Sequence, residues 1–161
     1  MNRQFARFFE AHGDVVVKPL YGFFGLGIKK YSEYDHFKED YPPSLEPLMF
    51  QRFLPEGVNK RVVMMDGDVF LSNANILMPG KLILERDNLK IPYNLNERDK
   101  QICNLVSIFL KKHNIDYAGI DIVGDFLLEL NVTCTGSLRT LNKIYNIQSE
   151  RTLMDIVEAK K

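Results

Sequence analysis

The sequence predicts an α+β fold built on antiparallel sheets, and three observations carry that expectation. Apolar strand-like runs come in pairs separated by tight-turn residues, as in RVVMM-DG-DVFLSNA and YAGIDIV-GD-FLLELNV. Between and after these pairs stand segments with helical spacing of apolar residues. Finally, 161 residues with 45% hydrophobic and 26% charged side chains suffice for one ordinary domain or two small ones.

Taken in order, Arg3 to His12 places Phe5, Phe8 and Phe9 at helical spacing, and Gly13 follows as a natural stop. Because the chain opens inside a helix, upstream sequence is expected to be missing or supplied elsewhere. Val15 to Lys18 and Ile28 to Tyr31 read as strands around a glycine-rich turn, Gly22-Phe23-Phe24-Gly25-Leu26-Gly27. Ser32 to Pro47 is polar, interrupted by Pro42-Pro43, and reads as a connection with a short helix. Leu48 to Leu54 is a further strand, and Arg61–Met65 with Val69–Ala74 flank the hairpin dipeptide Asp66-Gly67.

Met78 to Tyr93 mixes charge, Gly and Pro around Leu82-Ile83-Leu84, which reads as strand or loop. Asn96 caps a helix with Asp99 at its third position, and Ile102, Leu105, Val106, Phe109 and Leu110 form its apolar stripe. Tyr117–Val123 and Phe126–Thr133 make the last hairpin. Arg139–Tyr145 reads as a helix, and Ser149 caps another through Leu153, Ile156 and Val157.

Composition also excludes functions. Lys plus Arg number 21 and Asp plus Glu number 21, so no net field draws the chain to nucleic acid or an anionic membrane. The apolar runs are far too short to cross a bilayer and no secretory leader stands at the start, so a cytoplasmic protein is expected. Cys103 and Cys134 form neither a disulfide framework nor a metal spacing; Cys103 reads as core.

The last hairpin carries the most chemistry, because Asp121, Glu129 and Asn131 sit inside very apolar strands. A two-residue turn at Gly124-Asp125 sets Asp121 opposite Leu128. A three-residue loop, Gly124-Asp125-Phe126, sets it opposite Glu129 and leaves Ala118, Ile120, Ile122, Leu128, Leu130 and Val132 on one dry face. The binary pattern selects the three-residue loop. Two opposed carboxylates repel unless a proton or cation lies between them. With Asn131 adding a neutral oxygen, the set suits Mg²⁺ leaning on a phosphate-bearing ligand. The plain alternative is the wet face of a half-exposed sheet.

Lys18, followed by Gly22, Gly25 and Gly27, could present an ammonium and backbone N–H groups to phosphate, although this is not a Walker loop and a simple hairpin turn explains it equally. Gln51-Arg52-Phe53-Leu54 ends a strand with an aromatic edge, and Arg61 opens the next where a guanidinium can meet phosphate charge or solvent.

In the order VVVKPLYGFFGLGI, PLMFQRFLPEGVNKRVVMMDGD, YAGIDIVGDFLLELNVTCTGSLR and RTLMDIVEA, the sequence resembles the ATP-grasp portion of bacterial glutathione synthetase. The resemblance implies an ATP-grasp fold lacking the N-terminal substrate domain. Residues 1–54 would form a partial small lobe with the glycine-rich loop, and 55–161 a large lobe with the metal-binding hairpin. It implies that Lys18, Gly22, Gly25 and Gly27 hold the ATP phosphates and that Gln51, Arg52, Phe53 and Leu54 meet adenine. Asp121, Glu129 and Asn131 would bind Mg²⁺ or Mn²⁺, Arg61 would contact the reacting phosphoryl group, and Arg139 would lie near substrate. The implied reaction forms an acyl phosphate from ATP and a small peptide or amino-acid carboxylate, which an amine such as glycine then attacks.

The chain departs from that pattern in places. PGKLILERDNLK replaces a glycine- and arginine-rich substrate loop, Asn59 replaces an acid before Lys60, and Cys134-Thr135-Gly136 replaces Ser-Pro-Thr. Three readings follow: a ligase completed by a separate chain or a second copy, an inactive nucleotide-binding remnant, and a ligase acting on a peptide or protein carboxylate.

Overall fold

The computed structural model describes residues 3–21, 26–40, 47–54, 58–76, 89–133 and 135–160. The chain forms two compact units, Met1–Pro55 and Glu56–Lys161. The first contains α1 (Arg3–His12), β1 (Val15–Pro19), β2 (Lys29–Tyr31), α2 (Tyr34–Asp40) and β3 (Leu48–Arg52). Gly13 ends α1 at φ +66°, where a side chain is strained, and its N–H closes on the Phe9 carbonyl at 2.8 Å. β1 is the central strand, antiparallel to both β2 and β3. Its alternate residues Val15 and Val17 are buried, and Phe9, Tyr31 and Phe37 close over them with Phe8, Tyr34, Leu48 and Phe50. Those apolar residues, at i, i+2 on β1 and at i, i+3 on α2 (Tyr34 and Phe37), make the core. β3 stops at Arg52, two residues short of the expected strand, yet Phe53 N–H still bonds the Asp14 carbonyl at 2.9 Å.

The second unit contains β4 (Asn59–Met65), β5 (Asp68–Ile76), β6 (Leu89–Pro92), α3 (Glu97–Lys112), β7 (Tyr117–Val123), β8 (Phe126–Asn131), α4 (Leu138–Tyr145) and α5 (Ser149–Ala159). Its antiparallel sheet runs β6-β5-β4-β7-β8. Asp66 and Gly67, at φ +53° and +78°, make the tight turn between β4 and β5 that their pairing predicts. On one face Val62, Met64, Ala118, Ile120 and Ile122 pack against Ile102, Cys103, Val106 and Leu110 of α3. On the other, Val63 and Met65 pack against Leu141, with Leu138, Tyr145, Leu153 and Ile156 of α4 and α5. β4 and β7 are therefore covered on both sides, which is why they read as near-continuous apolar runs.

Several expectations change. The buried stripe of α3 is Ile102, Cys103, Val106 and Leu110, while Leu105 is 68% and Phe109 45% exposed. The helix is rotated so that Asp99, fully buried, lies on the inward stripe, and its capping box with Asn96 is complete. Ser149 is the first residue of α5 rather than its cap; its N–H and hydroxyl both turn to Asn142 Oδ1. Leu82-Ile83-Leu84, Gly22, Gly25 and Cys134 lie outside the described residues.

The last hairpin satisfies both signals that the sequence set against each other. Gly124, at φ +54°, opens a two-residue turn, so Val123 pairs with Phe126 and Ile122 with Leu127. The register then slips by one: a bulge leaves Leu128 as the extra residue, and Asp121 pairs with Glu129, Ile120 with Leu130 and Gly119 with Asn131. The three-residue loop is thus replaced by a two-residue turn plus a bulge. The opposition of the two carboxylates is kept, and Val132 is 42% exposed instead of joining a dry face.

Candidate functional site

Directly paired residues of an antiparallel sheet share a face, so the registers define a polar row. Asn73 of β5 pairs with Arg61 of β4, Arg61 with Asp121 of β7, and Asp121 with Glu129 of β8. Asp121 is 2% exposed and its Oδ1 lies 3.0 Å from Arg61 Nε. A carboxylate this buried requires a paired charge, and the guanidinium supplies it. Arg61 Nη1 also donates to the Thr135 carbonyl at 3.4 Å, and Asn131 Nδ2 to Asp121 Oδ2 at 3.5 Å. The guanidinium thus offsets the charge of Asp121 from the β4 side, away from Glu129 on β8.

Two residues up the same strand, Asn59 pairs with Asn75 on one side and Val123 on the other. Its side chain is fully buried, yet neither amide atom has a hydrogen-bond partner among the described residues, and Asn73 Oδ1 is in the same condition. Asn73 Nδ2 donates to Asn75 Oδ1 at 3.2 Å, and Lys90 of β6 stands opposite Asn75. Buried polar atoms are normally paired, so these are available, beside a guanidinium, to hydrogen-bond a polar group.

The donor set suits a hard cation. Asp121, Glu129 and Asn131 offer two carboxylates and an amide; among the described residues no group of three or more His, Cys, Asp or Glu converges. Such a sparse set matches an ion that keeps several waters and shares phosphate oxygens, rather than one caged by protein alone. Asn131 points its nitrogen at Asp121 here, and an amide flip presents its oxygen instead.

The opposite face of β4 carries a second charged group. Lys60 pairs in register with Ile122 and points to the α3 side, where Nζ lies 2.5 Å from Asp99 Oδ1 and donates to Gly124 O at 2.8 Å. The two side chains are 4% and 0% exposed. Asp99 Oδ2 accepts from Asn96 N at 3.1 Å and from Tyr93 Oη at 3.3 Å, so its charge is well satisfied. Burial, with Asp99 next in weight, raises the Tyr93 phenol above its ordinary range.

In the first unit, Lys18 pairs with Met49 and Val16 with both Lys30 and Gln51, placing Lys18 and Gln51 on the face away from the aromatic core. Arg52 pairs with Val15 and so belongs to the opposite face. Lys30 Nζ lies 4.2 Å from the Phe53 ring centroid and 2.5 Å from Asp14. Leu54 is half-buried. Gly27 is at φ +76°, and a Cβ there would meet Pro19 Cγ at 2.8 Å. Arg139 stands exposed in the first turn of α4, outside the strand row. Within the second unit the structure brings Arg61, Asp121, Glu129 and Asn131 onto one sheet face; within the first it puts Lys18 and Gln51 on one face of the sheet and Arg52 on the other.

Sequence reasoning missed Gly119, Asn73 and the Lys60–Asp99 pair. A Cβ on Gly119 would lie 2.8 Å from Arg61 Nη1, so the absence of a side chain makes room for the guanidinium. Glycine inside an apolar strand was the available signal. Lys60 was readable too, since alternation places it with Val62 and Met64 on the core face.

The arrangement of sheets and helices is that of the ATP-grasp class. D-alanine–D-alanine ligase from Bacillus anthracis, solved with ATP, superposes with a TM-score of 0.70 at 16% identity, covering 99% of this chain and 55% of that one. The ATP-grasp ligase PsnB, solved with a minimal precursor, Mg and ADP, gives a TM-score of 0.69 at 20% identity over 96% of this chain and 49% of its own. The family model of the prokaryotic glutathione synthetase ATP-grasp domain matches residues 1–146, and the chain belongs to that family. Glutathione synthetase of Salmonella typhimurium is 34% identical over 170 residues, covering 98% of this chain and 53% of the relative. That of Vibrio cholerae is 33% identical, covering 95% and 51%. The chain spans about half the length of these relatives. Among the described residues no helix is long and apolar enough to cross a membrane.

Proposed function

We propose that this chain is the nucleotide-binding part of an ATP-dependent carboxylate–amine ligase of glutathione synthetase type. The observation that carries the reading is the row Arg61–Asp121–Glu129 with Asn131 beside it, next to the unpartnered amide of Asn59 and Oδ1 of Asn73. On this reading Met1–Pro55 is the small lobe and Glu56–Lys161 the large one. Asp121, Glu129 and Asn131 hold Mg²⁺ or Mn²⁺ with ATP; the ion's chemistry is to offset charge on the transferring phosphoryl group. Arg61, anchored on Asp121, keeps a guanidinium fixed for that same charge, which avoids reorganisation during the reaction. Lys18 with Gly22, Gly25 and Gly27 serves the phosphates, and Gln51, Phe53 and Leu54 the base. Arg52, on the other face, contributes backbone only. Arg139 serves the acyl substrate.

In the reaction a substrate carboxylate oxygen attacks the terminal phosphorus and ADP leaves. An amine nitrogen then attacks the acyl phosphate, losing a proton and expelling inorganic phosphate. γ-Glutamylcysteine and glycine are the substrates that the resemblance to glutathione synthetase implies.

A second reading, a nucleotide-binding remnant without turnover, is favoured by PGKLILERDNLK standing where a glycine- and arginine-rich substrate loop is expected. A third, action on a peptide or protein carboxylate, takes that same change as an adaptation. One experiment separates them: binding of Mg²⁺-ATP, then ADP release with γ-glutamylcysteine and glycine. Release that requires both substrates supports the first reading. Binding without release leaves the remnant or a different acyl substrate, to be resolved with carboxylate-ended peptides, and no binding removes the nucleotide reading altogether.

A further inference from the structure

The turn that joins β7 to β8 is held from outside the hairpin at both of its carbonyls. Lys60, reaching from β4 on the α3 face, donates to Gly124 O at 2.8 Å. Arg98, in the first turn of α3, donates from Nε to Asp125 O at 3.2 Å. Neither cation is left to wander: Lys60 is fixed by Asp99 at 2.5 Å, and Arg98 Nη1 by Gln101 Oε1 at 3.2 Å. Asp99 in turn is fixed by the Asn96 backbone and Tyr93 hydroxyl, so the anchor belongs to the helix cap itself.

What the anchor holds is a hairpin under competing demands. The two-residue turn by itself continues into a register with Asp121 opposite Leu128; only the bulge at Leu128 restores Glu129. The bulge lies within four residues of the turn, and its ladder hydrogen bonds are locally interrupted. With the turn pinned at both carbonyls, the bulge cannot migrate toward it.

We infer that Lys60, Asp99 and Arg98 are positioning residues that lock the β7–β8 turn and thereby set Glu129 against Asp121 for cation binding. This rests on the reading of Asp121, Glu129 and Asn131 as the cation ligands. None of the three positioning residues belongs to that ligand set; they act from the other face of the sheet. Groups that orient ligands in this way typically change metal affinity by tenfold or more when removed.

The test uses the whole chain and compares the parent with K60M/D99L, which removes the buried pair together and leaves neither charge stranded. Four quantities are measured: melting temperature, Mn²⁺ affinity in the presence of ADP by electron paramagnetic resonance, ADP affinity in EDTA, and amide exchange over residues 122–129 without metal. The expected result is a melting temperature within a few degrees of the parent, unchanged ADP affinity in EDTA, Mn²⁺ affinity reduced about tenfold, and exchange accelerated about tenfold at 122–129. A purely structural pair leaves the last two at parent values once the fold is intact, and that result overturns the inference. If the double variant does not fold, R98A, altered at an exposed contact, takes its place. It is expected to speed exchange at 124–127 by roughly threefold with no change in melting, and parent-like exchange overturns the inference. If the parent itself holds no Mn²⁺, the cation reading fails, whereas the exchange data still decide whether the turn is locked from α3.

Discussion

Gly119→Ala offers a sharp test of how Arg61 is held. Gly119 has ordinary strand backbone within β7, so nothing in its conformation asks for glycine. Alanine at such a place normally stabilises by about 0.4–1 kcal/mol through the unfolded chain. Here its Cβ would lie 2.8 Å from Arg61 Nη1 and 3.4 Å from the Thr135 carbonyl. Restoring an ordinary contact of about 3.5 Å moves the guanidinium by roughly 0.7 Å. The Nη1–Thr135 bond, already 3.4 Å, is then lost, and the 3.0 Å Nε–Asp121 contact loosens. The first is worth about 1 kcal/mol and the second, a charged bond, about 1.5–3 kcal/mol if fully broken. Half of the latter plus the former gives a penalty of about 2 kcal/mol, leaving Gly119→Ala destabilised by about 1 kcal/mol after the alanine gain. In an Arg61→Met background the obstruction is gone and the same change should stabilise. Urea unfolding of the four proteins reads this as a coupling energy of about 2 kcal/mol with a reversal of sign. An equal effect of Gly119→Ala in both backgrounds would refute the argument.

Three further outcomes follow from the fold. Ile102→Ala and Leu110→Ala, at 5% and 1% exposure, should each cost about 2–5 kcal/mol in urea unfolding, whereas Leu105→Gln and Phe109→Gln should stay within about 0.5 kcal/mol. Burial, then the charge of Asp99, pushes the Cys103 thiol from 9.0 up to about 11. Since the unfolded thiol releases its proton first, the contribution of Cys103 to stability is flat below pH 9, falls between about pH 9 and 11, and is flat again above. The difference between parent and Cys103→Ala stability across that window isolates it, and a rise with pH would contradict the burial. Gly67→Ala should destabilise measurably in the same assay, because Gly67 is at φ +78°, a conformation that strains any L side chain.

Much of this architecture was legible in the sequence because local chemistry and global packing agree. Asn96 with Asp99, Asp66-Gly67 and Gly13 each mark a boundary that the structure keeps. The opposition of Asp121 and Glu129 was legible for a different reason: burial of Ile120 and Leu130 on the α3 side demands it whatever the turn. The turn itself was not, since a bulge lets a two-residue turn and the apolar pattern coexist, and one sequence cannot announce where the extra residue goes. α3 misled because its outward face carries Leu105, Ile108 and Phe109, so apolarity alone did not mark the buried stripe; Asp99 and Cys103 did. β6, four mostly exposed residues at a sheet edge, carries no pattern to read. The Lys60–Asp99 pair was hidden because its partners are 39 residues apart, although a lysine on a core face called for a buried acid somewhere.

The central claim is that Arg61, Asp121, Glu129 and Asn131 form a cation-assisted nucleotide site. Titration calorimetry of the chain with ATP, with and without Mg²⁺, repeated on Asp121→Asn/Glu129→Gln, tests it most directly. The expected result is saturable binding that Mg²⁺ strengthens in the parent, with that strengthening lost in the double variant while the fold is kept. Binding that is indifferent to Mg²⁺, or Mg²⁺-dependent binding that survives loss of both carboxylates, would contradict it.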